Sequence, residues 1–134
     1  MEDQYLCFES FAFLFLIPLN HVEYIMPAAQ VTNGGIDYEN RVITVLDFQT
    51  ILKENPPEKK SHVIIIRDGS GGYFGLMAKA ALEVIKIGAG RKRKLPEEVI
   101  SRKNSFISEA VYLEGQDQWA YIIDGDKLLE AEGI

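Results

Sequence analysis

Few side chains in this sequence have both the type and the spacing that chemistry needs. Two aspartates stand at matching places, Asp47 after Arg41-Val42-Ile43-Thr44-Val45-Leu46 and Asp124 after Gln118-Trp119-Ala120-Tyr121-Ile122-Ile123. Paired carboxylates do acid–base work when they converge on one substrate. Here each one instead opens a short segment that closes on two apolar residues, Ile51-Leu52 or Leu128-Leu129. That is the pattern of a helix N-cap, in which the carboxylate accepts from a backbone N–H two or three residues on. His21 and His62 have no Cys, Asp or His at metal-ligand spacing, so no metal site is expected. Cys7 and His21 would pair a nucleophile with a base, but Cys7 lies in an apolar strand run, where burial raises a thiol pKa and blunts it. Asp68-Gly69-Ser70-Gly71-Gly72 invites a phosphate-loop reading. It lacks the Gly-Lys-Ser/Thr ending and runs on into strand-like Tyr73-Phe74-Gly75-Leu76, so a hairpin turn fits better. The run Arg91-Lys92-Arg93-Lys94 reads either as an anion or acidic-protein patch or as a solvated loop. No catalytic residue, metal or cofactor emerges.

The two aspartates belong to a cassette that the chain uses twice, at residues 41–52 and 118–129. Upstream, Phe13–Ile25 can be laid on Tyr73–Ile85 without a gap, which matches Val22-Glu23-Tyr24-Ile25 to Leu82-Glu83-Val84-Ile85. A strand candidate precedes each, Tyr5–Glu9 and Val63–Arg67. Internal repetition sets the architecture before local detail does. Each half then reads as two strands, a short apolar turn, two strands and a capped helix. The first half covers about 4–55 and the second about 62–130 of a single domain over 1–134, with extra sequence near 88–105. Chance likeness between strand–turn–strand patterns is the competing explanation. Asn33-Gly34-Gly35, Asp68–Gly72 and Glu114–Asp117 carry hairpin-turn residues, and Lys53–Ser61 with Pro56-Pro57 reads as the linker between halves. Segment 88–105 is expected to be an exposed loop with one helical turn at Leu95–Ile100. Many short strands with brief helices predict an all-β fold of paired small barrels.

Composition narrows the function classes. The chain has 134 residues, enough for one domain with a real core. Its single cysteine excludes an internal disulfide and fits a cytoplasmic setting. The apolar run Phe11–Leu19 is too short to span a bilayer and follows Glu2, Asp3 and Glu9 rather than basic residues, so neither membrane insertion nor a signal peptide is expected. It reads as a strand buried on both faces. The net charge is −6; segment 88–105 contributes +4, which leaves −10 on the rest. An acidic surface disfavours nucleic acid, which needs a broad positive field.

The run Gly35–Phe48, with Tyr5-Leu6-Cys7-Phe8 and Phe13–Ile17 before it and Ile107–Leu129 after it, resembles the CheW-like family of chemotaxis adaptors over about residues 4–130. The resemblance implies two five-stranded SH3-like β-barrel subdomains with short capping helices. It implies a non-enzymatic scaffold, without a cofactor, that couples a methyl-accepting chemoreceptor tip to the regulatory domain of a chemotaxis histidine kinase. On that reading Val22, Ile25, Leu82 and Ile85 face the receptor in a groove between subdomains, the plain alternative being inter-subdomain core. Tyr38, Glu39 and Arg41 face the kinase from the first-half hairpin, the plain alternative being an ordinary turn. The family's Asn-Leu-Arg-Gly is Asp37-Tyr38-Glu39-Asn40 here, its next-strand proline is Thr44, and Pro27–Gly34 is shorter than the family's connection. Two other readings stay open. One is a small-ligand or anion-binding barrel module using Arg91–Lys94, for which a concave pocket beside those residues is the discriminator. The other is a paralogue with the adaptor fold that competes for partners.

Overall fold

Runs of β-branched and aromatic residues, punctuated by Gly, Asn and Pro, become eleven strands in the computed structural model, which describes residues 2–10, 13–46, 60–69, 71–95 and 106–131. In chain order they are β1 (Glu2–Ser10), β2 (Phe13–Pro18), β3 (Val22–Pro27), β4 (Gly35–Tyr38), β5 (Arg41–Leu46), β6 (His62–Arg67), β7 (Tyr73–Ala78), β8 (Ala80–Gly88), β9 (Arg93–Lys94), β10 (Ile107–Leu113) and β11 (Gln118–Ile123). One helix is described, α1 (Gly125–Ala131). Asp47 and the helix expected after it, the linker at 53–59, and residues 96–105 lie outside the described residues.

The strands form two sheets, one of six in the order β8-β1-β2-β11-β10-β9 and one of five in the order β3-β6-β7-β5-β4. The fold class is therefore all-β with two curled sheets, as expected. The assignment of one sheet to each half is corrected. Each half contributes its first hairpin to the sheet that the other half completes. Hairpin β1–β2 lies between β8 and β11, and hairpin β6–β7 lies between β3 and β5. The last hairpins join through parallel pairs, Ala120↔Leu14 to Ile122↔Leu16 on one side and Val45↔Gly75 with Leu46↔Leu76 on the other. The first hairpins explain the exchange. Val63-Ile64-Ile65-Ile66 and Leu14-Phe15-Leu16-Ile17 are buried at every residue. A strand apolar on both faces must be covered from two sides, and an interior position in a curled sheet supplies both covers.

Those two faces define three apolar clusters. Tyr5, Cys7, Leu14, Leu16, Ile87, Val111, Leu113 and Ala120 fill the curl of the six-stranded sheet. Ile36, Ile43, Val63 and Ile65 fill that of the five-stranded sheet. Between the sheets lie Leu6, Phe8, Phe15, Ile17, Ile64, Ile66, Phe74, Leu76 and their neighbours. Leu128 of α1 belongs to this last cluster, so the closing helix seals the seam between sheets rather than the end of a barrel, contrary to expectation.

The ungapped match of Phe13–Ile25 to Tyr73–Ile85 is also one residue out of step. Ile17 and Leu76 face the seam, and so do Ile25, beside Ile64, and Val84, beside Leu6. The structural spacing between the halves is therefore 59 here rather than 60, as Ile17/Leu76 and Ile25/Val84 both give. A slip of one residue in a strand turns every side chain to the other face. Segment 88–95, expected to be loop, instead continues β8 into a 3-10 turn at Ala89–Arg91 and the short edge strand β9, paired through Ala110↔Arg93 and Glu109↔Lys94.

Candidate protein-interaction surfaces

The β4–β5 hairpin is a two-residue turn, since Tyr38 pairs with Arg41 across Glu39 and Asn40. Glu39 has φ 49° and Asn40 φ 63°. Positive φ at both central residues is the type I′ geometry that matches strand twist. The hairpin presents an aromatic cluster. Tyr38 meets Tyr73 edge-on at 5.5 Å and lies at 6.5 Å from Tyr24 in a stacked arrangement. The Arg41 guanidinium sits 5.2 Å from the centre of the Tyr73 ring, a cation–π contact. Tyr24 and Tyr38 come from β3 and β4, the two edges of the five-stranded sheet, so their stacking draws the sheet towards closure. Val42, 79% exposed, pairs with Asp37 and points to the opposite face of the hairpin from this cluster. Burial first, and then the carboxylates of Glu39 and Glu23, hold the Tyr38 phenol above its ordinary pKa. The structure thus gathers Tyr38 and Arg41 with Glu39 beside them. Sequence reasoning missed Tyr24 and Tyr73, which reach the hairpin only through the curl of the sheet.

The four residues considered for a receptor groove separate. Val22 and Ile25 are both on β3, on the side facing the seam. Val22 packs against the seam cluster and Ile25 is exposed. Ile85 turns instead into the curl of the six-stranded sheet and packs against its cluster. Leu82 is in β8, and its side chain lies outside the described residues. Among the described residues of β8 the exposed apolar one that faces the seam is Val84, which the one-residue slip concealed. β3 and β8 hold the same place in their sheets, each outermost beside the other half's first strand.

Asp124 stands at the start of α1, where its Oδ1 accepts from the N–H groups of Asp126 at 3.1 Å and Lys127 at 3.2 Å. The next acid, Asp126, accepts from the Gly69 N–H at 3.2 Å, which fastens α1 to the β6–β7 turn of the other sheet. A cleft of about 590 Å³ opens here, lined by Tyr5, Asn20, His21, Arg67, Asp68 and Asp124 among others. Four of its charged groups, Arg67, Asp68, Asp124 and Asp126, are bonded within the chain. Arg67 pairs with Glu23 at 2.9 Å and donates to the Asn20 carbonyl, and the Asp68 carboxylate accepts from the Gly72 N–H at 2.9 Å. Among the described residues no group of three or more His, Cys, Asp or Glu could hold a metal ion.

Concave surface does lie beside the basic run, a cleft of about 540 Å³ at Arg91 and one of about 310 Å³ at Arg93 and Lys94. Three of the four cations are nevertheless tied to the chain itself. Arg91 donates to the Tyr112 carbonyl at 3.0 Å, and Arg93 to the Gly90 carbonyl at 2.6 Å. Lys92 reaches Asp3 at 3.5 Å and lies 5.4 Å from the Tyr5 ring centre. Its hydrogen bond with Tyr5 is the main reason its pKa is raised; burial opposes this and Asp3 adds to it.

Among the described residues the exposed features are aromatic and aliphatic patches on a paired-sheet β protein, the kind of surface that protein partners take. The CheW-like domain family model matches residues 4–133. The chain belongs to the CheW-like domain family and is a non-enzymatic adaptor of the chemotaxis scaffold type. Among solved structures it is similar to the scaffolding protein TtCheW from Thermoanaerobacter tengcongensis, with TM-score 0.77 and 20% sequence identity over 92% of this chain and 85% of that one. No curated protein matches it significantly. No helix among the described residues is long and apolar enough to cross a membrane.

Proposed function

We propose that this protein couples a chemoreceptor tip to the regulatory domain of a chemotaxis histidine kinase, as one CheW-like domain acting in the cytoplasm. The observation that carries the reading is the β4–β5 hairpin, where a tyrosine cluster and the Arg41 cation sit together on one face beside a two-residue turn and an exposed Val42 lies on the other face. Aromatic and arginine side chains beside apolar surface are the composition of interface anchors. This hairpin takes the kinase. The receptor tip, a helical hairpin, takes the two seam-facing edge strands through Ile25 on β3 and Val84 on β8, with Val22 on the same face of β3 packed against the seam cluster.

Glu39 occupies the place where the family carries arginine, so a charge is reversed at the contact. Titration calorimetry with a purified kinase regulatory domain tests the reading. The unmodified protein binds weakly, Glu39→Arg binds more tightly, and the gain fades as salt rises. Tight binding by the unmodified protein that ignores the substitution removes the hairpin from the interface. Receptor binding without any kinase binding, with or without Glu39→Arg, makes the protein a competitor rather than a coupler.

A further inference from the structure

The six-stranded sheet carries a second aromatic surface away from both proposed contacts. In the register Ala120↔Leu14, Trp119 of β11 falls beside Phe13 of β2, and Trp119 pairs directly with Tyr112 of β10. The three form one row across three adjacent strands, and they stay 41% (Phe13), 44% (Trp119) and 37% (Tyr112) exposed. Tyr112 and Trp119 meet edge-on at 5.6 Å, and Phe13 meets Tyr121 edge-on at 6.3 Å, so the rings are held by one another. The face continues the seam, since Phe15 and Ile123 alternate with the same side of their strands, but here the other sheet no longer covers it.

A depression of about 310 Å³ opens at the row, lined by Arg93, Lys94, Leu95, Ala110, Trp119 and Tyr121. Both cations are exposed, and Lys94 has no partner among the described residues. In a chain of net charge −6, this is a local basic border along the β9 side of the aromatic floor, while at the far end the Tyr112 hydroxyl donates to the Asp117 carboxylate.

We propose that this face docks an acidic amphipathic helix of a partner protein, a contact separate from the kinase and receptor surfaces. Strand addition is the poorer fit, because the adjoining edge strand β9 has two residues and offers few backbone groups. The row fits a helix. Three strands place its outer members roughly 10 Å apart, and helical positions i and i+7 are about 10.5 Å apart. Apolar residues at i, i+3 or i+4, and i+7 then cover the three rings, and glutamates on the flank meet Arg93 and Lys94. Nucleic acid would stack on the same rings, but two cations on an acidic chain do not supply the field it requires.

Trp119 is the chain's single tryptophan, so its emission reports this face alone. The probe is a synthetic helix with leucines at those positions and glutamates elsewhere, compared with a twin carrying lysines in place of the glutamates. The glutamate helix should shift Trp119 emission to the blue and saturate. Arg93→Glu should weaken it about fivefold and Phe13→Ser about tenfold, and high salt should reduce the effect. Arg93 is on the surface, so that variant keeps the test valid if Phe13→Ser fails to fold. Equal or better binding of the lysine twin, no saturable shift, or indifference to Arg93→Glu overturns the proposal. So does a Trp119 shift on diluting the protein alone, which would make a second copy the occupant.

Discussion

The last hairpins of the two halves, β4–β5 and β10–β11, hold equivalent places in equivalent sheets and show the outside different faces. Each joins its sheet by a parallel pair to a first hairpin of the other half. The β4–β5 tip is tight and carries Glu39, with Arg41 on the tyrosine side and an exposed Val42 on the other. The β10–β11 tip turns through Glu114–Asp117, ties the Tyr112 hydroxyl to the Asp117 carboxylate, and presents Tyr112 and Trp119 beside the basic edge strand. What lies beneath is alike in the two halves, the central strands and the seam, whereas the rims differ, where side chains contribute little to stability. Two halves of like plan can in this way offer different edges to different partners.

The largest test breaks the comparison at its root. If the first hairpins are truly exchanged, neither half has a complete sheet of its own. Fragments 1–55 and 56–134 should each fail to unfold cooperatively in urea, and mixing them should restore a cooperative transition followed by circular dichroism. A cooperative transition from fragment 1–55 alone would sink the exchange.

The next compares the two parallel junctions. At Gly75 an added Cβ would stand 2.8 Å from Val63 Cγ1 and 3.1 Å from Val45 Cγ2. Gly75→Ala should therefore cost about 1–3 kcal/mol by overpacking, read from urea midpoints. The other junction already accepts Ala120 and Leu14 side by side. An unchanged midpoint would mean that β5 and β7 are not in this register.

The sheet interiors differ in a group that titrates. The five-stranded curl is lined by Ile36, Ile43, Val63 and Ile65, whereas the six-stranded one holds Cys7. Burial first, with Glu83 adding to it, pushes the Cys7 thiol up to about 11 from 9.0. The folded state then keeps a proton that the unfolded chain loses, so this contribution is intact below pH 9 and declines as pH rises towards 11. Unfolding measured at stepped pH should show stability falling through that window, with a shallower fall in Cys7→Ala. An identical slope in the variant would assign the alkaline loss to the tyrosines and lysines.

Asp124→Ala should cost about 1 kcal/mol, the usual size of a lost N-cap, and Asp47→Ala should match it if the cassette repeats its cap. Urea midpoints for the pair decide whether the two cassettes are equivalent in energy as well as in sequence. A null effect at Asp47 beside a clear one at Asp124 would confine the cap to the second cassette.

Much of this was legible in the sequence, and the failures share a cause. The double-faced burial of Phe15–Ile17 and Ile64–Ile66 is written in consecutive apolar residues. The Asp68–Gly72 and Glu114–Asp117 hairpins are written in their turn residues. Local pattern does not say which strand lies beside which, so the exchange of first hairpins stayed hidden, as did the approach of Tyr24 and Tyr73 to Tyr38. Face is equally fragile. An alignment one residue off pointed to Ile85, which is turned inward, in place of the exposed Val84. The basic run concealed β9 because two residues of edge strand leave no alternation to read.

The smallest expected effect lies in the turn that separates this chain from its family's pattern. Glu39 and Asn40 both adopt positive φ, where a side chain is strained and glycine is not. Asparagine tolerates the left-handed region, since its short amide bonds locally. Restoring the family's glycine through Asn40→Gly should therefore stabilise by no more than about 1 kcal/mol, reduced by the freedom glycine returns to the unfolded chain. Glutamate at φ 49° has no such local compensation, so Glu39→Gly should gain more than Asn40→Gly. Thermal unfolding of the two variants, each against the unmodified chain, decides the order. If Glu39→Gly is the more stable and binds the kinase domain differently, the strained glutamate is retained for the contact it makes. If both variants unfold alike and bind alike, the turn is only a turn, and Arg41 with the tyrosine cluster must hold the partner without it.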